Sequence, residues 1–134
     1  MIMSEWVYNG EPFNEVGENY GFVYIITNKT NNRKYIGKKF FWSSKRKQVN
    51  KKRKTYKVES DWKEYWSSSE ELKQDVQTIG QEFFTREIIH LCPTKGTTNY
   101  LEAKEQFVHG VLEDKDGWYN GWIQVKVHRT HVKL

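Results

Sequence analysis

The chain has 134 residues, a net charge of +5 at neutral pH and a single cysteine. That length supports one modest core, and a lone cysteine excludes an internal disulfide. There is no run of the roughly eighteen apolar residues that a membrane span requires, and the opening "MIMSEWVYNGEPF" lacks the basic flank and apolar stretch of a secretory signal. The expected setting is therefore intracellular and cytoplasmic, with no membrane partner. Cys92, in "REIIHLC", reads as a small buried apolar residue.

In chain order, residues 1–20 carry Glu5, Glu11, Glu15 and Glu18 without a basic residue, and Trp6, Tyr8 and Phe13. An irregular acidic arm with aromatics docked on the body is expected there, followed by a single domain over 21–134. "GFVYIITN" and "RKYIGKK" flank the asparagine-rich "NKTNN" and predict a β-hairpin. An even register would set Tyr24 and Tyr35 on one face, because strand side chains alternate. On residue type alone, two strand tyrosines are ordinary packing groups.

Between Lys38 and Lys57 the chain has ten Lys or Arg and no acid, leaving twelve basic residues against seventeen acidic ones elsewhere. Such a block concentrates the positive field in one place and points to a polyanion, with nucleic acid first. Phe40, Phe41, Trp42 and Tyr56 are interleaved and offer rings for stacking on bases or packing beneath lysine stems. A membrane surface would call for an amphipathic helix, and the block has none. The competing reading is a solvated loop or arm. The segment at about 43–57 has the character of a basic insertion.

Downstream, "SSSEELKQDVQTIG" predicts a helix over 69–79, with Ser67 or Ser68 opening a capping box and Gly80 as the stop. "FFTREIIHLC" predicts a third strand, "PTKGTT" a loop, and "NYLEAKEQFVHGVL" a second helix. The tail "WIQVKVHRTHVKL" alternates as a half-exposed strand does. The expected fold class is α+β, with a small, antiparallel, roughly three-stranded sheet flanked by helices. Winding residues 100–112 at about 100° per residue gathers Tyr100, Leu101, Ala103, Phe107, Val108, Val111 and Leu112 on an apolar arc. Glu105 then lies at its rim and Glu102 further towards water. A rim carboxylate suits a hard divalent cation, although on helix geometry alone a border glutamate paired with a nearby lysine is the better reading. His90 and His109 have no assignable partners, and His128 and His131 would face opposite ways in a strand, which argues against a metal pair.

The order of hairpin, basic helix region, helix, strand and glutamate-bearing helix resembles the GIY-YIG nuclease superfamily, over about Gly21 to Asn120. Phe22-Val23-Tyr24 and Tyr35-Ile36-Gly37 stand for its two motifs, with the tyrosines eleven residues apart. Phe22 replaces the family's opening glycine, and Gly21 lies beside it. "LEAKEQF" is similar to the helix bearing the metal-binding glutamate, with Glu105 rather than Glu102 in that place, and "GWYNGW" resembles the asparagine motif, fifteen residues on at Asn120. The segments "DWKEYWSSS" and "NYLEAKEQF" also look like those of small phage-encoded homing-type members.

That resemblance implies a metal-dependent DNA endonuclease using Mg²⁺ or Mn²⁺. Glu105 would hold the metal, and Tyr24 or Tyr35 would take the proton of the attacking water or orient it. Arg46 would clamp the phosphate, with Lys45 and Arg53 as competitors. Lys38, Lys39, Lys47, Lys51, Lys52 and Lys54 would contact the DNA backbone, and Asn120 would fix a turn or the glutamate helix. The alternative is an inactive nucleic-acid-binding module of the same fold, acting as a repressor or accessory subunit. Target preference is expected from the block, the arm, a homodimer partner or a separate specificity protein.

Overall fold

The computed structural model describes residues 5–134. Its strands are β1 (Trp6–Tyr8), β2 (Glu11–Pro12), β3 (Gly21–Asn28), β4 (Arg33–Phe40), β5 (Trp42–Val49), β6 (Lys52–Glu59) and β7 (Phe84–Cys92). Its α-helices are α1 (Glu70–Ile79) and α2 (Lys95–Val108). The hairpin β3–β4 forms as expected, with Tyr24 opposite Gly37 and Tyr35 opposite Ile26. Its turn is held by Asn28, whose buried Oδ1 accepts from Thr30 and whose Nδ2 donates to the Tyr119 hydroxyl at 3.0 Å. Tyr119 in turn donates to Asp75 of α1 at 2.7 Å, so the hairpin turn, α1 and the segment before Asn120 are fastened at one point.

The sheet is larger than the three antiparallel strands expected. Its order is β2-β1-β7-β3-β4, and β1 runs parallel to β7. The stretch expected to be an irregular arm thus supplies a pairing strand. Trp6 explains why: its indole is buried, donates to the Trp62 carbonyl at 2.7 Å, and meets Phe22 and Tyr24 edge-on. Residues 1–4 of that arm lie outside the described residues. A second, two-stranded sheet, β5–β6, takes up the basic block. Asn50 and Lys51 both have positive φ, the backbone that a two-residue hairpin turn requires. The block is therefore a ribbon rather than a loop or a helical region.

Two layers of side chains cover the main sheet. One face carries Phe22, Tyr24, Ile26 and Ile88 against Leu72 and Val76 of α1, with Trp6, Phe41 and Trp62. The other carries Val23, Ile36 and Cys92 under α2 and Val111. Burial pushes the Cys92 thiol up to about 11, in keeping with an inert core residue.

The helices start and face differently from expectation. Ser69, one residue beyond the expected cap, accepts from Leu72 N at 3.2 Å and opens α1. Thr94 caps α2, so the expected loop at 95–98 is already helical. Phe107 and Val108, placed on the buried arc by periodicity, are 65% and 72% exposed, while Thr97, Thr98, Ala103 and Gln106 face inward. The tail forms no strand. It crosses the start of α2, where Thr97 Oγ1 exchanges hydrogen bonds with the backbone of Lys133, and His128 and His131 sit in a short turn with their rings in edge contact. Among the described residues no helix is long and apolar enough to cross a membrane.

Trp6→Ala tests whether β1 belongs to the folded core. Equilibrium urea unfolding is expected to lose about 3–5 kcal/mol, the usual cost of deleting a buried tryptophan ring. A loss below about 1 kcal/mol would return residues 5–20 to the status of a peripheral arm.

Candidate active site

β4 is the outer strand of the main sheet, so every second residue turns its backbone N–H and C=O away from β3. Those groups are met one after another. Lys34 donates to Gly117 O at 2.9 Å and accepts from Tyr119 N at 2.8 Å. Ile36 N donates to Asn120 Oδ1 at 3.1 Å, while Ile36 O accepts from Asn120 Nδ2 at 2.8 Å and Gln106 Nε2 at 2.9 Å. Glu102 accepts from the Lys38 backbone N–H and lies 3.5 Å from Lys38 Nζ. Ser60 donates to Phe40 O at 2.6 Å. The Asn120 side chain thus pairs with Ile36 as a strand residue would, on the β4 edge rather than on a turn or the glutamate helix.

Tyr24, Tyr35, Gly37 and Lys39 share the α1 face of this edge, since directly paired and alternate residues point the same way. The two tyrosine rings lie 6.2 Å apart and close over Gly37. A Cβ on Gly37 would come within 2.5 Å of the Tyr24 hydroxyl and 2.7 Å of the Tyr35 ring. That is the physical reason for glycine at this position. Tyr24 is fully buried and hydrogen-bonds Tyr65; Tyr35 meets Ser68 Oγ at 3.2 Å and opens onto a pocket of about 330 Å³ shared with Tyr119, Asn120 and Trp122. Lys39 Nζ lies 4.2 Å above the Tyr65 ring and 2.7 Å from Asp61.

Burial holds both phenols above their ordinary value, Tyr24 well above it, and the Glu102 carboxylate pushes each in the same direction. Burial likewise raises the Glu102 carboxyl, opposed by the Lys38 ammonium and backbone N–H. Near neutral pH neither phenol ionises without added positive charge.

The structure separates the two helix glutamates. Glu102 lies against Lys38 on the tyrosine-bearing strand, with its side chain 13% exposed. Glu105 instead meets His90 Nε2 at 2.9 Å and His109 Nδ1 at 3.4 Å, giving both histidines the partner that could not be assigned from sequence. Of the expected site residues, Lys38 pairs with Glu102, whose charge also acts on Tyr24 and Tyr35, while Lys39 pairs with Asp61 and Asn120 with the Ile36 backbone. Arg46, Lys45 and Lys47 on β5, Lys51 in the turn, and Lys52, Arg53 and Lys54 on β6 are all exposed on the ribbon. Arg46 stands opposite Thr55 there, away from the tyrosine cluster on β3 and β4.

Sequence reasoning missed Tyr65, Ser68 and Gln106, and set Glu102 towards water. The signal was available: Thr98, Glu102 and Gln106 recur every four residues and form a polar stripe. As a metal site, Glu102 offers a single partly buried carboxylate. Among the described residues, no group of three or more His, Cys, Asp or Glu side chains is placed to hold a metal ion. A lone carboxylate fits an ion that keeps most of its water and takes phosphate oxygens, as Mg²⁺ does.

A family model described as the GIY-YIG domain of the putative endonuclease segE matches residues 6–123. Neither a curated protein nor a solved structure matches the chain.

Gly37→Ala is expected to force the tyrosine rings apart, lowering stability by about 1–3 kcal/mol and altering the near-ultraviolet circular dichroism of the cluster. Gly121→Ala, where an added Cβ would meet nothing within 4 Å, is the matched control. An unchanged aromatic signal in Gly37→Ala would contradict the close approach described.

Proposed function

The chain belongs to the GIY-YIG nuclease family, and on that footing we propose that it is a metal-dependent DNA endonuclease working at the edge of β4. The observation that carries this reading is the joint placement of Tyr24 of β3 with Tyr35 and Lys39 of β4 on one face of the hairpin, while Glu102 closes on the β4 edge from α2. The family likeness also makes a phage genome the expected source. We assign the metal-holding role to Glu102 in place of Glu105, and the phosphate-facing cation to Lys39 in place of Arg46.

When bound at Glu102, a divalent ion such as Mg²⁺ or Mn²⁺ supplies the charge that polarises the phosphoryl oxygen and steadies the leaving oxygen. The protein's own groups do the rest. Tyr35, the more open of the two phenols, holds the attacking water in the pocket and takes its proton. Its hydroxyl is oriented by Ser68. Tyr24 is sealed from solvent, so it positions Tyr35 rather than meeting water. Lys39, on the same face, brings positive charge to the phosphate and favours the phenolate that burial alone opposes. Lys38 is free to exchange its ion pair with Glu102 for a phosphate oxygen once DNA arrives. Asn120 and Gln106 keep the strand edge fixed, so that these groups hold their spacing throughout.

A plasmid-cleavage assay with Mg²⁺ or Mn²⁺ tests the reading. Glu102→Gln is expected to lose about 100-fold or more in rate, and Glu105→Gln to stay within about threefold. Stability should separate from activity. The raised folded pKa of Glu102 means that its stabilising contribution is present below the unfolded value and lost as pH rises through the folded one. Ionising the buried carboxyl therefore costs the fold stability, so above the folded value Glu102→Gln should melt no lower than the parent. Loss of cleavage in Glu105→Gln with retention in Glu102→Gln would overturn the assignment. DNA binding without cleavage in either metal would favour the inactive binding module.

A further inference from the structure

The basic ribbon has two chemically different faces. Directly opposed residues of an antiparallel pair point to the same side. One side of β5–β6 therefore carries Ser44 with Lys57, Arg46 with Thr55, and Gln48 with Arg53. Trp42 belongs to this side too, and Lys57 Nζ lies 5.6 Å over its ring, as the register demands. The other side carries Lys45 with Tyr56, Lys47 with Lys54, and Val49 with Lys52. Both arginines and the only glutamine of the ribbon are thus on one face, and its lysines, Lys57 apart, project from the other or occupy the turn.

That division matches the two tasks of duplex recognition. Arginine and glutamine present paired donors and acceptors that fit the outer edges of guanine and adenine, whereas lysine is a point charge suited to phosphate. The ribbon's dimensions fit as well. Eight residues per strand make a rod about 25 Å long, and a two-stranded β-ribbon is an element that the major groove of B-DNA admits. Double-stranded RNA does not offer this, because its major groove is deep and narrow.

The base of the ribbon is anchored in the core. Phe41 is buried between β4 and β5, Ser60 N donates to Phe41 O at 2.8 Å, Trp42 Nε1 donates to Asn19 O at 3.3 Å, and Trp62 Nε1 donates to Glu59 Oε1 at 2.8 Å. β5 also continues directly from β4, the strand that carries Tyr35 and Lys39. A groove-bound ribbon would consequently be tied in position to the cleavage site.

We propose that β5–β6 is the sequence-reading element of this nuclease. It lies in the DNA major groove with Arg46, Gln48 and Arg53 towards the base edges. Lys45, Lys47, Lys52 and Lys54 reach sideways from the outer face to the phosphates that rim the groove. The inference rests on the DNA-cleaving reading above and adds to it where target preference comes from.

The test uses the full chain in the Glu102→Gln background, so that binding is read without cutting. Preferred duplexes are selected from a randomised library, and affinity is measured against salt concentration. Arg46→Lys and Arg53→Lys keep the charge but lose the paired donors. Each is expected to flatten the preference at one or two base positions, with a loss of roughly 5- to 150-fold on the preferred duplex and an unchanged salt slope. Lys47→Ala and Lys54→Ala should weaken all duplexes alike and reduce the slope by about 0.9 each. Base preference untouched by the arginine variants, preference lost instead in the lysine variants, or equal binding to duplex RNA would overturn the proposal. If wild-type protein cleaves DNA while the arginine variants keep the parental preference, this inference fails alone. If no duplex is bound or cut at all, the nuclease reading fails with it.

Discussion

An outer β-strand leaves every second N–H and C=O without a strand partner, and those groups are costly to bury unmet. In this protein the outward groups of β4 at Lys34, Ile36, Lys38 and Phe40 are met by a short parallel bridge at Trp118, by Asn120 and Gln106, by Glu102 and by Ser60. Much of the remaining structure follows from that requirement. It draws the segment before Asn120 against the sheet, turns the polar stripe of α2 inward, and so exposes Phe107 and Val108. The helix comes close because its inward face is built of small or polar residues: a Cβ on Gly21 would lie 2.8 Å from Thr98 Oγ1.

The same edge joins two surfaces that would otherwise be separate. Tyr24, Tyr35 and Lys39 belong to the layer under α1, and Glu102 and Lys38 to the layer under α2. At Gly37 nothing but backbone stands between them. The electrostatic result is a pair of phenols and a carboxyl all held above their ordinary values by burial, with Lys38 beside the carboxyl. Such a cluster is a poor way to stabilise a fold and a reasonable way to receive a cation and a phosphate.

The hairpin, both helices and the strand at 84–92 were legible in the sequence because each has its own local signal: the asparagine turn, serine and threonine caps, and the β-branched run. The sheet's full extent was not, since β1 is three residues long and is held by one tryptophan reaching Trp62, a contact with no local trace. The ribbon was visible as charge but not as strands, because lysine and arginine have weak strand preference and the turn Asn50–Lys51 lacks the usual glycine. Periodicity turned α2 the wrong way. Counting apolar residues assumes that the buried side is the greasy one, and here the inner face answers hydrogen bonds instead. The metal-holding role expected of Glu105 came from the family resemblance rather than from periodicity, and in the fold that carboxylate meets His90 and His109. The tyrosine pair, by contrast, needed only the even register of a hairpin.

The most direct test of this account is to locate the ion itself. Crystals of the protein grown or soaked with Mn²⁺ can be measured at the manganese absorption edge, where anomalous scattering marks the metal without reference to activity. A peak at coordination distance from a Glu102 carboxylate oxygen, about 2.1–2.2 Å, on the side facing Tyr35 is the expected result. A peak enclosed by His90, Glu105 and His109, with none at Glu102, would contradict the placement of the active site at the edge of β4.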